Sequence, residues 1–222
     1  MKEKCAEKAF ELIKAGMTVG LGGGSTVSLL IEKIAKEGLS IQVVTPSQDT
    51  MNLCMENHIP LLPLEGVSHV DIAFDGCDEL DRELNALKSC GGIHTREKIV
   101  AALSDDYVLL ADEEKLSPVL TFRFPVAVEV IRSAKGYVKR ELRKLGAAVS
   151  ERNGAGKTGT MVSDDGNYLL EAVFDHVENA PELSARLKGI PGIVETSLFC
   201  GLAAKAIIAK KDGIEIIERS RK

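Results

Sequence analysis

The sequence lacks the features that mark membrane and secreted proteins. No apolar run approaches the roughly 20 residues that a membrane-spanning helix needs, so a membrane role is not indicated. The first stretch, MKEKCAEKAFELIKAG, spreads charged residues along an amphipathic helix and has neither the apolar core nor the cleavage site of a secretory signal. We therefore expect a cytoplasmic protein.

Paired cysteines and an excess of basic residues are also missing. The five cysteines are odd in number and widely spaced, without a CxxC pair, which predicts reduced thiols rather than a disulfide framework or a zinc site. Acidic residues outnumber basic ones by 33 to 28, for a formal net charge of −5. The chain thus has no general electrostatic attraction to nucleic acid, and an anionic ligand would have to be held by local geometry.

The first half of the chain alternates apolar runs with helical patterns. The 222 residues are enough to bury one substantial core or two small ones. Short apolar runs predict strands at 17–21, 41–44, 59–62, 69–74 and 107–111. Helical spacing predicts helices through Cys5, Ala9, Leu12 and Ile13 with Gly16 as the cap, through Val27, Leu30, Ile31 and Ile34 with Gly38 at the end, and over 49–57 and 95–106. This order predicts an α/β unit whose mostly parallel sheet has helices on both faces.

The pattern changes near Phe124-Pro125. Strands are indicated at 126–131, 147–152, 168–174 and 193–199, with helices at 133–146 and 180–189, which gives a β-α-β-β-α-β order. The tail contains two apolar strands around Lys211-Asp212-Gly213, a hairpin-like turn, and we expect them to return to the first sheet. The predicted domains are therefore an α/β unit of residues 1–125 and 201–222 and a small ferredoxin-like α+β unit of residues 126–200.

A cluster of glycines stands at the start of the second helix, in VGLGGGST at 19–26. It misses the dinucleotide fingerprint, because Ser25 occupies the third glycine position and no acidic residue ends the next strand. Glycines let the backbone approach a ligand, and Ser25 and Thr26 add hydroxyls beside the free N–H groups of a helix start. A phosphate would fit there; a plain turn with Ser25 or Thr26 as N-cap explains the pattern equally well.

A second glycine-rich stretch, GAGKTG at 154–159, resembles a phosphate-binding P-loop. Glu151 stands where the first glycine of that motif belongs, and no apolar strand leads directly into the stretch. We therefore interpret it as a surface hairpin loop.

Polar residues follow the strand at 69–74. Asp75 and Asp78 in FDGCDEL lie at its carboxyl end, where open α/β sheets bind ligands, and two carboxylates there suit hydroxyl groups. No histidine is spaced to complete a metal site with them. Ten residues past Asp78 come Lys88 and then Glu97, in KSCGGIHTREKI. Taken alone, the aspartates fit an ordinary turn and the other two fit a solvated surface.

Taken together, these motifs are similar to those of the ribose-5-phosphate isomerase A family. The resemblance rests on GLGGGST, FDGCDEL, KSCGGIHTREK, ADEEK at 111–115, FPVAVEV at 124–130, SDDGNYLL at 163–170 and IPGIVETSLF at 190–199, in this order. It implies a two-domain α/β enzyme of sugar phosphates, often a homodimer or homotetramer, that needs no organic cofactor and no metal. The implied reaction interconverts ribose 5-phosphate and ribulose 5-phosphate through a cis-enediolate.

The resemblance also implies roles for individual residues. Glu97 would be the proton-transferring base and Lys88 the cation beside the enediolate oxygen, while Asp75 and Asp78 would orient hydroxyls and help to open the sugar ring. The implied substrate contacts are Gly23, Gly24, Ser25, Thr26, Gly76, Cys77, Ser89, Cys90, Gly91, Asp112 and Lys115. Glu97 falls near a helix start, which favours the carboxylate and weakens the base, so we expect burial to compensate. For Cys77 and Cys90 we expect small packed side chains rather than exposed thiols.

The sequence departs from the family pattern at three positions. Gly23 stands where the family usually has threonine, and Ser89 and Cys90 stand where it usually has glycines. These departures leave two alternatives open: an isomerase for a related aldose phosphate, and a sugar-phosphate sensor without turnover. A sensor usually carries a DNA-reading helix-turn-helix, for which this chain has no basic stretch.

Overall fold

The computed structural model describes residues 1–154 and 158–219. The α-helices of that part are α1 Lys2–Phe10, α2 Ser25–Glu37, α3 Gln48–Glu56, α4 His94–Leu103, α5 Lys135–Lys144 and α6 Ala180–Lys188. The strands are β1 Thr18–Leu21, β2 Gln42–Val44, β3 Val70–Gly76, β4 Glu79–Asp81, β5 Ala86–Leu87, β6 Ser104–Asp112, β7 Leu116–Ser117, β8 Val126–Val130, β9 Ala148–Glu151, β10 Tyr168–Val173, β11 Ile193–Thr196, β12 Leu198–Phe199, β13 Lys205–Lys210 and β14 Gly213–Glu218. Residues 155–157 of the hairpin loop predicted at 154–159 lie outside the described residues.

The central sheet runs in the order β14-β13-β6-β3-β1-β2. Its strands are parallel from β2 to β13, and β14 closes the edge as the antiparallel partner of β13. The two strands are joined at Lys211-Asp212, because Lys210 pairs with Gly213 across the turn. The predicted mostly parallel sheet and the return of the tail to it are both confirmed.

Apolar side chains on both faces of this sheet explain why helices cover both faces. In β6, Val108 packs in one apolar cluster with α1 and α2, whereas its neighbour Leu109 packs in another with α4. In β13, Ile207 packs in the first of these clusters and its neighbour Ile208 packs in the second. Successive side chains of a strand point to opposite faces, so a continuous apolar run is buried on both sides.

Helix α2 ends as the sequence predicts, but α1 does not. Gly38 follows α2 in the left-handed region, with φ of 62°. Helix α1 stops at Phe10, six residues before the predicted cap, because the N–H groups of Leu12 and Ile13 bond to carbonyls only three residues back. Gly16, with φ of 86°, instead turns the chain into β1.

The prediction of a strand at 59–62 is also wrong. Only an isolated bridge between Val43 and Leu61 forms there. Pro60 has no N–H group to donate to a ladder.

The small sheet confirms the ferredoxin-like prediction. Its order is β11-β8-β10-β9, and its neighbouring strands are antiparallel. Helices α5 and α6 pack on it through Val138, Leu142, Leu183 and Leu187, which join one apolar cluster with β8 and β10.

A short mixed sheet in the order β12-β5-β4-β7 was not predicted. It connects the two larger sheets, because β12 follows the small sheet in the chain and pairs with β5, which lies between β3 and α4. The domain boundaries at 125 and 200 stay a prediction. In the part of the chain that the structure describes, no helix is long and apolar enough to cross a bilayer.

Candidate active site

The glycine-rich turn lies between β1 and α2, at the carboxyl edge of the central sheet. A Cβ at Gly22 would lie 1.9 Å from Oδ1 of Asp75, so a side chain is excluded there. Gly24 has φ of 100° and ψ of 165°, a conformation open almost only to glycine, and it is the N-cap of α2. Ser25 is therefore the first helical residue and not the cap, which leaves its hydroxyl free of the capping role that the plain-turn alternative gave it.

Lys2 reaches this turn from the first helix. Its Nζ donates to Oγ of Ser25 over 2.8 Å, which places an ammonium beside the start of α2. Sequence reasoning missed Lys2, because only the packing of α1 against α2 brings the first helix to the turn. On the other side, Thr50 donates to the carbonyl of Gly22 over 2.6 Å and fixes the turn from α3.

Asp75, Lys88 and Glu97 form a buried cluster next to the turn. Nζ of Lys88 lies 2.9 Å from Oδ1 of Asp75 and 3.3 Å from Oε1 of Glu97. Their side chains are only 3%, 5% and 8% exposed, respectively, so water screens these charges weakly. Lys88 also donates to the carbonyl of Gly76 over 2.6 Å.

Burial sets the protonation behaviour of this cluster. Desolvation raises the pKa of Glu97 to about 8, against the opposing charge of Lys88. Burial also raises the pKa of Asp75, again against Lys88. Burial by itself lowers the pKa of Lys88, but the charges of Asp75 and Glu97 outweigh it and raise that pKa above its ordinary value. Two carboxyls thus compete for one ammonium, and a proton can reside on Glu97 near neutral pH.

Further hydrogen bonds hold the carboxylates of Asp75 and Asp78 in place. Asp75 accepts from the N–H of Gly76 over 2.8 Å and from the hydroxyl of Tyr107 over 3.3 Å. Asp78 accepts from the N–H groups of Ser89 and Cys90, over 2.7 and 3.0 Å. The hydrogen bonds to Asp78 join the segment after β3 to the loop between β5 and α4.

Ser89 and Cys90, which stand where the family usually has glycines, differ in their surroundings. Ser89 is buried and donates to the carbonyl of Pro125 over 2.6 Å, with Oγ of Ser197 at 3.1 Å, so its hydroxyl connects the loop to the small sheet. Cys90 is exposed, as is Gly91 after it, so the expectation of a packed side chain is wrong there. Cys77 is packed as expected, and burial raises the pKa of its thiol to about 12.

The two parts of the site touch each other. Gly22 abuts the carboxyl of Asp75, and a Cβ at Gly76 would lie 3.6 Å from the carbonyl of Gly23. Lys115 supports the segment after β3 by donating to the carbonyl of Cys77 over 2.6 Å. Asp112, the last residue of β6, lies three residues before Lys115 in the chain. Within the described residues, no three His, Cys, Asp or Glu side chains form a group that could hold a metal ion.

Fold and site together define an α/β protein with a buried acid–base cluster beside a turn suited to an anion. Residues 42–213 match the family described as Ribose 5-phosphate isomerase A (phosphoriboisomerase A). Ribose-5-phosphate isomerase A of Bradyrhizobium diazoefficiens is 39% identical, over 100% of this chain and 96% of that protein. The chain therefore belongs to the ribose 5-phosphate isomerase A family.

Solved structures agree with this assignment. Ribose 5-phosphate isomerase A from Methanocaldococcus jannaschii superposes with a TM-score of 0.90 at 37% identity, covering 98% of this chain and 97% of that one. A D-ribose-5-phosphate isomerase in complex with phospho-erythronic acid superposes with a TM-score of 0.92 at 33% identity, with the same coverage of 98% and 97%.

Proposed function

We propose that this chain is an aldose–ketose isomerase that interconverts D-ribose 5-phosphate and D-ribulose 5-phosphate through a cis-enediolate. The observation that carries the proposal is the buried Glu97 carboxyl, 3.3 Å from the ammonium of Lys88 and beside the glycine-rich turn. Membership of the family and the relatives that share its name support the same reaction.

The phosphate end of the substrate would bind at the glycine-rich turn. The backbone of Gly23 and Gly24 can approach an anion closely, and the N–H groups at the start of α2 favour negative charge. The hydroxyls of Ser25 and Thr26 would donate to phosphate oxygens. Lys2, already within hydrogen-bond distance of Ser25, would add a positive charge.

Glu97 would transfer the proton between the two reacting carbons. As a carboxylate it takes the proton from C2 of the open-chain aldose, and the electrons of that C–H bond form the enediolate with its negative charge on the C1 oxygen. Lys88 stabilises that oxygen. Glu97 then returns the proton to C1, while the proton of the C2 hydroxyl moves to the C1 oxygen, so that C2 becomes the ketone and C1 becomes a hydroxymethyl group. A raised pKa suits this cycle, because a base works best when its pKa lies near the operating pH.

Asp75 and Asp78 would handle the hydroxyl groups of the substrate. Asp75 lies near the end of β3 beside Lys88, and Asp78 follows the strand; their oxygens can accept from sugar hydroxyls and move a proton as the ring opens. The backbone of Gly76, Cys77, Ser89, Cys90 and Gly91 would line the same cleft, with Lys115 and Asp112 at its edge. The proposed chemistry uses only side chains and backbone of this chain.

An isomerase for a related aldose phosphate is the second candidate. Gly23 lacks the hydroxyl that the family usually places there, so one donor to the ligand is missing.

From the family resemblance we also infer a cytoplasmic homodimer or homotetramer, and a division of the chain into one domain of residues 1–125 with 201–222 and a second domain of residues 126–200. Light scattering after size-exclusion chromatography measures the oligomer.

The test is conversion of a panel of aldose phosphates by the chelator-treated protein. We expect ribose 5-phosphate to react fastest, and Glu97→Gln to lower kcat by roughly 10²- to 10⁴-fold, as loss of a general base does. The matched control is Glu182→Gln, because Glu182 also lies in the first turn of a helix but is exposed; it should keep full activity. Binding without conversion by the natural sequence would favour the sensor, and faster reaction of another aldose phosphate would favour the second candidate.

A further inference from the structure

A buried carboxylate outside the proposed site connects the small sheet to helix α4. Glu129 lies on β8 and is 1% exposed. Its Oε1 accepts from Oγ of Ser163 over 2.6 Å and from Nδ2 of Asn167 over 2.8 Å. Its Oε2 accepts from the hydroxyl of Thr95 in the first turn of α4.

These bonds satisfy a carboxyl group that would otherwise be costly to bury. An ionised carboxyl is tolerated in a protein interior only when hydrogen bonds or ion pairs replace its hydration. Ser163 and Asn167 belong to the turn before β10, which is closed by the N–H of Ser163 bonding to the carbonyl of Asn167 over 2.8 Å. Glu129 and this turn therefore form one preassembled group of hydrogen-bonding side chains on the small sheet, and Thr95 is the donor that α4 supplies to Glu129.

The same helix is attached to the small sheet on a second side. Nζ of Lys98 donates to Oε1 of Glu195 over 2.9 Å and to the carbonyls of Thr196 and Leu198 over 2.8 and 3.0 Å. Glu97, which lies between Thr95 and Lys98 in sequence, instead contacts Lys88. The start of α4 thus has Glu97 on the site side, while Thr95 and Lys98 are fixed to the small sheet.

We propose that Glu129 is a positioning residue for the reaction: through Thr95 it fixes the first turn of α4 and thereby sets where the carboxyl of Glu97 meets the substrate. The inference rests on the proposed function, because it assigns Glu97 to proton transfer. Misplacement of a reacting group by about 1 Å can cost roughly 100-fold in rate. Glu129 can change the position of Glu97 in this way without contacting the substrate.

Thr95→Val is the sharpest test, because it removes only the hydroxyl and keeps the shape of the side chain. We expect kcat to fall roughly 10- to 100-fold, with KM for ribose 5-phosphate within about twofold, since the glycine-rich turn is untouched. Hydrogen–deuterium exchange, read by mass spectrometry, should become faster at the amides of 94–98. Glu129→Leu should act in the same direction, and if it fails to fold, Thr95→Val decides alone.

Two further variants separate positioning from general stabilisation. Thr160→Val breaks the same kind of bond, from a threonine hydroxyl to Glu151 at the end of β9, and should leave kcat and the exchange of 94–98 unchanged. Glu129→Gln should retain most activity, because its amide oxygen can accept from Ser163 and Asn167 while its N–H donates to the Thr95 hydroxyl.

The proposal is overturned if Thr95→Val keeps the natural kcat, if Thr160→Val lowers kcat as much, or if exchange at 94–98 stays as slow as in the natural chain. Should the natural chain fail to convert ribose 5-phosphate, the proposed function is lost, and the exchange measurement still decides whether Glu129 fixes α4.

Discussion

At the scale of single residues, the position of Glu97 shows two opposing effects. The first turn of a helix favours a carboxylate, as does the ammonium of Lys88, and both should lower the pKa. Burial works in the other direction and is the larger effect, because the pKa rises to about 8. A carboxyl at this site is therefore a competent base at the expense of folding stability.

That expense can be measured with Glu97→Gln. In the unfolded chain the carboxyl ionises near its ordinary pKa of 4.5, whereas in the folded chain it holds its proton up to about pH 8. Between these values the natural chain loses stability as pH rises, since the unfolded state releases the proton and the folded state does not. The variant has no such group, so its Tm should exceed that of the natural chain by a margin that grows from pH 5 to pH 8, reaching several degrees.

The charged groups that face Glu97, namely Lys88, Asp75 and Asp78, are unchanged in this variant. Thermal unfolding of both proteins across that pH range, with Glu182→Gln as the exposed control, checks the sign. A margin that fails to grow with pH would mean that Glu97 is already ionised in the folded chain across this range, stabilised by Lys88.

At the scale of elements, the glycine-rich turn contains glycines with different requirements. Gly24 has φ of 100°, which a side chain makes strained by about 1–3 kcal/mol. Gly23 has no such conformation, and a Cβ there would lie 3.4 Å from Oγ of Ser47, an ordinary contact. Of these two glycines, only Gly24 is therefore required by its backbone conformation.

Substitutions at the two positions should consequently have opposite effects. Gly24→Ala should raise KM for ribose 5-phosphate several-fold and lower Tm, because the turn must leave its present shape. Gly23→Thr should fold normally and lower KM by up to roughly 10-fold, the worth of one added hydroxyl donor. Gly136→Ala, in the first turn of α5 where an added Cβ meets nothing within 4 Å, is the matched control and should raise Tm slightly without changing KM. Equal damage by both turn substitutions would show that the difference in backbone is irrelevant.

The elements differ in how much of them the sequence could predict. Helix α2 has a full apolar stripe and a glycine stop, and the hairpin of β13 and β14 has long apolar strands around a turn signal, so both were predicted closely. Strands β4 and β5 have three and two residues, too short for any periodicity. In the site, the motifs pointed to Lys88 and Glu97, whereas Lys2 and Tyr107 reach it only through packing between distant elements.

At the scale of the whole molecule, the site depends on contacts between parts that are far apart in sequence. Lys2 comes from the first helix, the acid–base cluster from β3, the loop after β5 and α4, and the anchor of α4 from the small sheet. Each contributes through packing of one unit on another, so the cleft exists only in the complete fold.

The contribution of the first helix is tested by Lys2→Met. Without the ammonium, the phosphate end should bind more weakly, and KM for ribose 5-phosphate should rise by roughly 10-fold, with kcat little changed. Lys4→Met, an exposed lysine on the same helix, should leave KM unchanged. Steady-state kinetics at low and moderate salt measures both, and a KM shift of the same size in both variants would mean that only the general charge of α1 matters.

The central claim is that the carboxyl of Glu97 moves a proton between two carbons of a bound sugar phosphate. Its most direct test is the reaction of ribose 5-phosphate in D₂O, with deuterium at C1 of the product and at C2 of the recovered aldose read by NMR. The account predicts that solvent deuterium enters these positions with the natural chain and with Glu182→Gln, and that entry is lost with Glu97→Gln. Product formed over many turnovers without any solvent deuterium, or entry undiminished in Glu97→Gln, would contradict it.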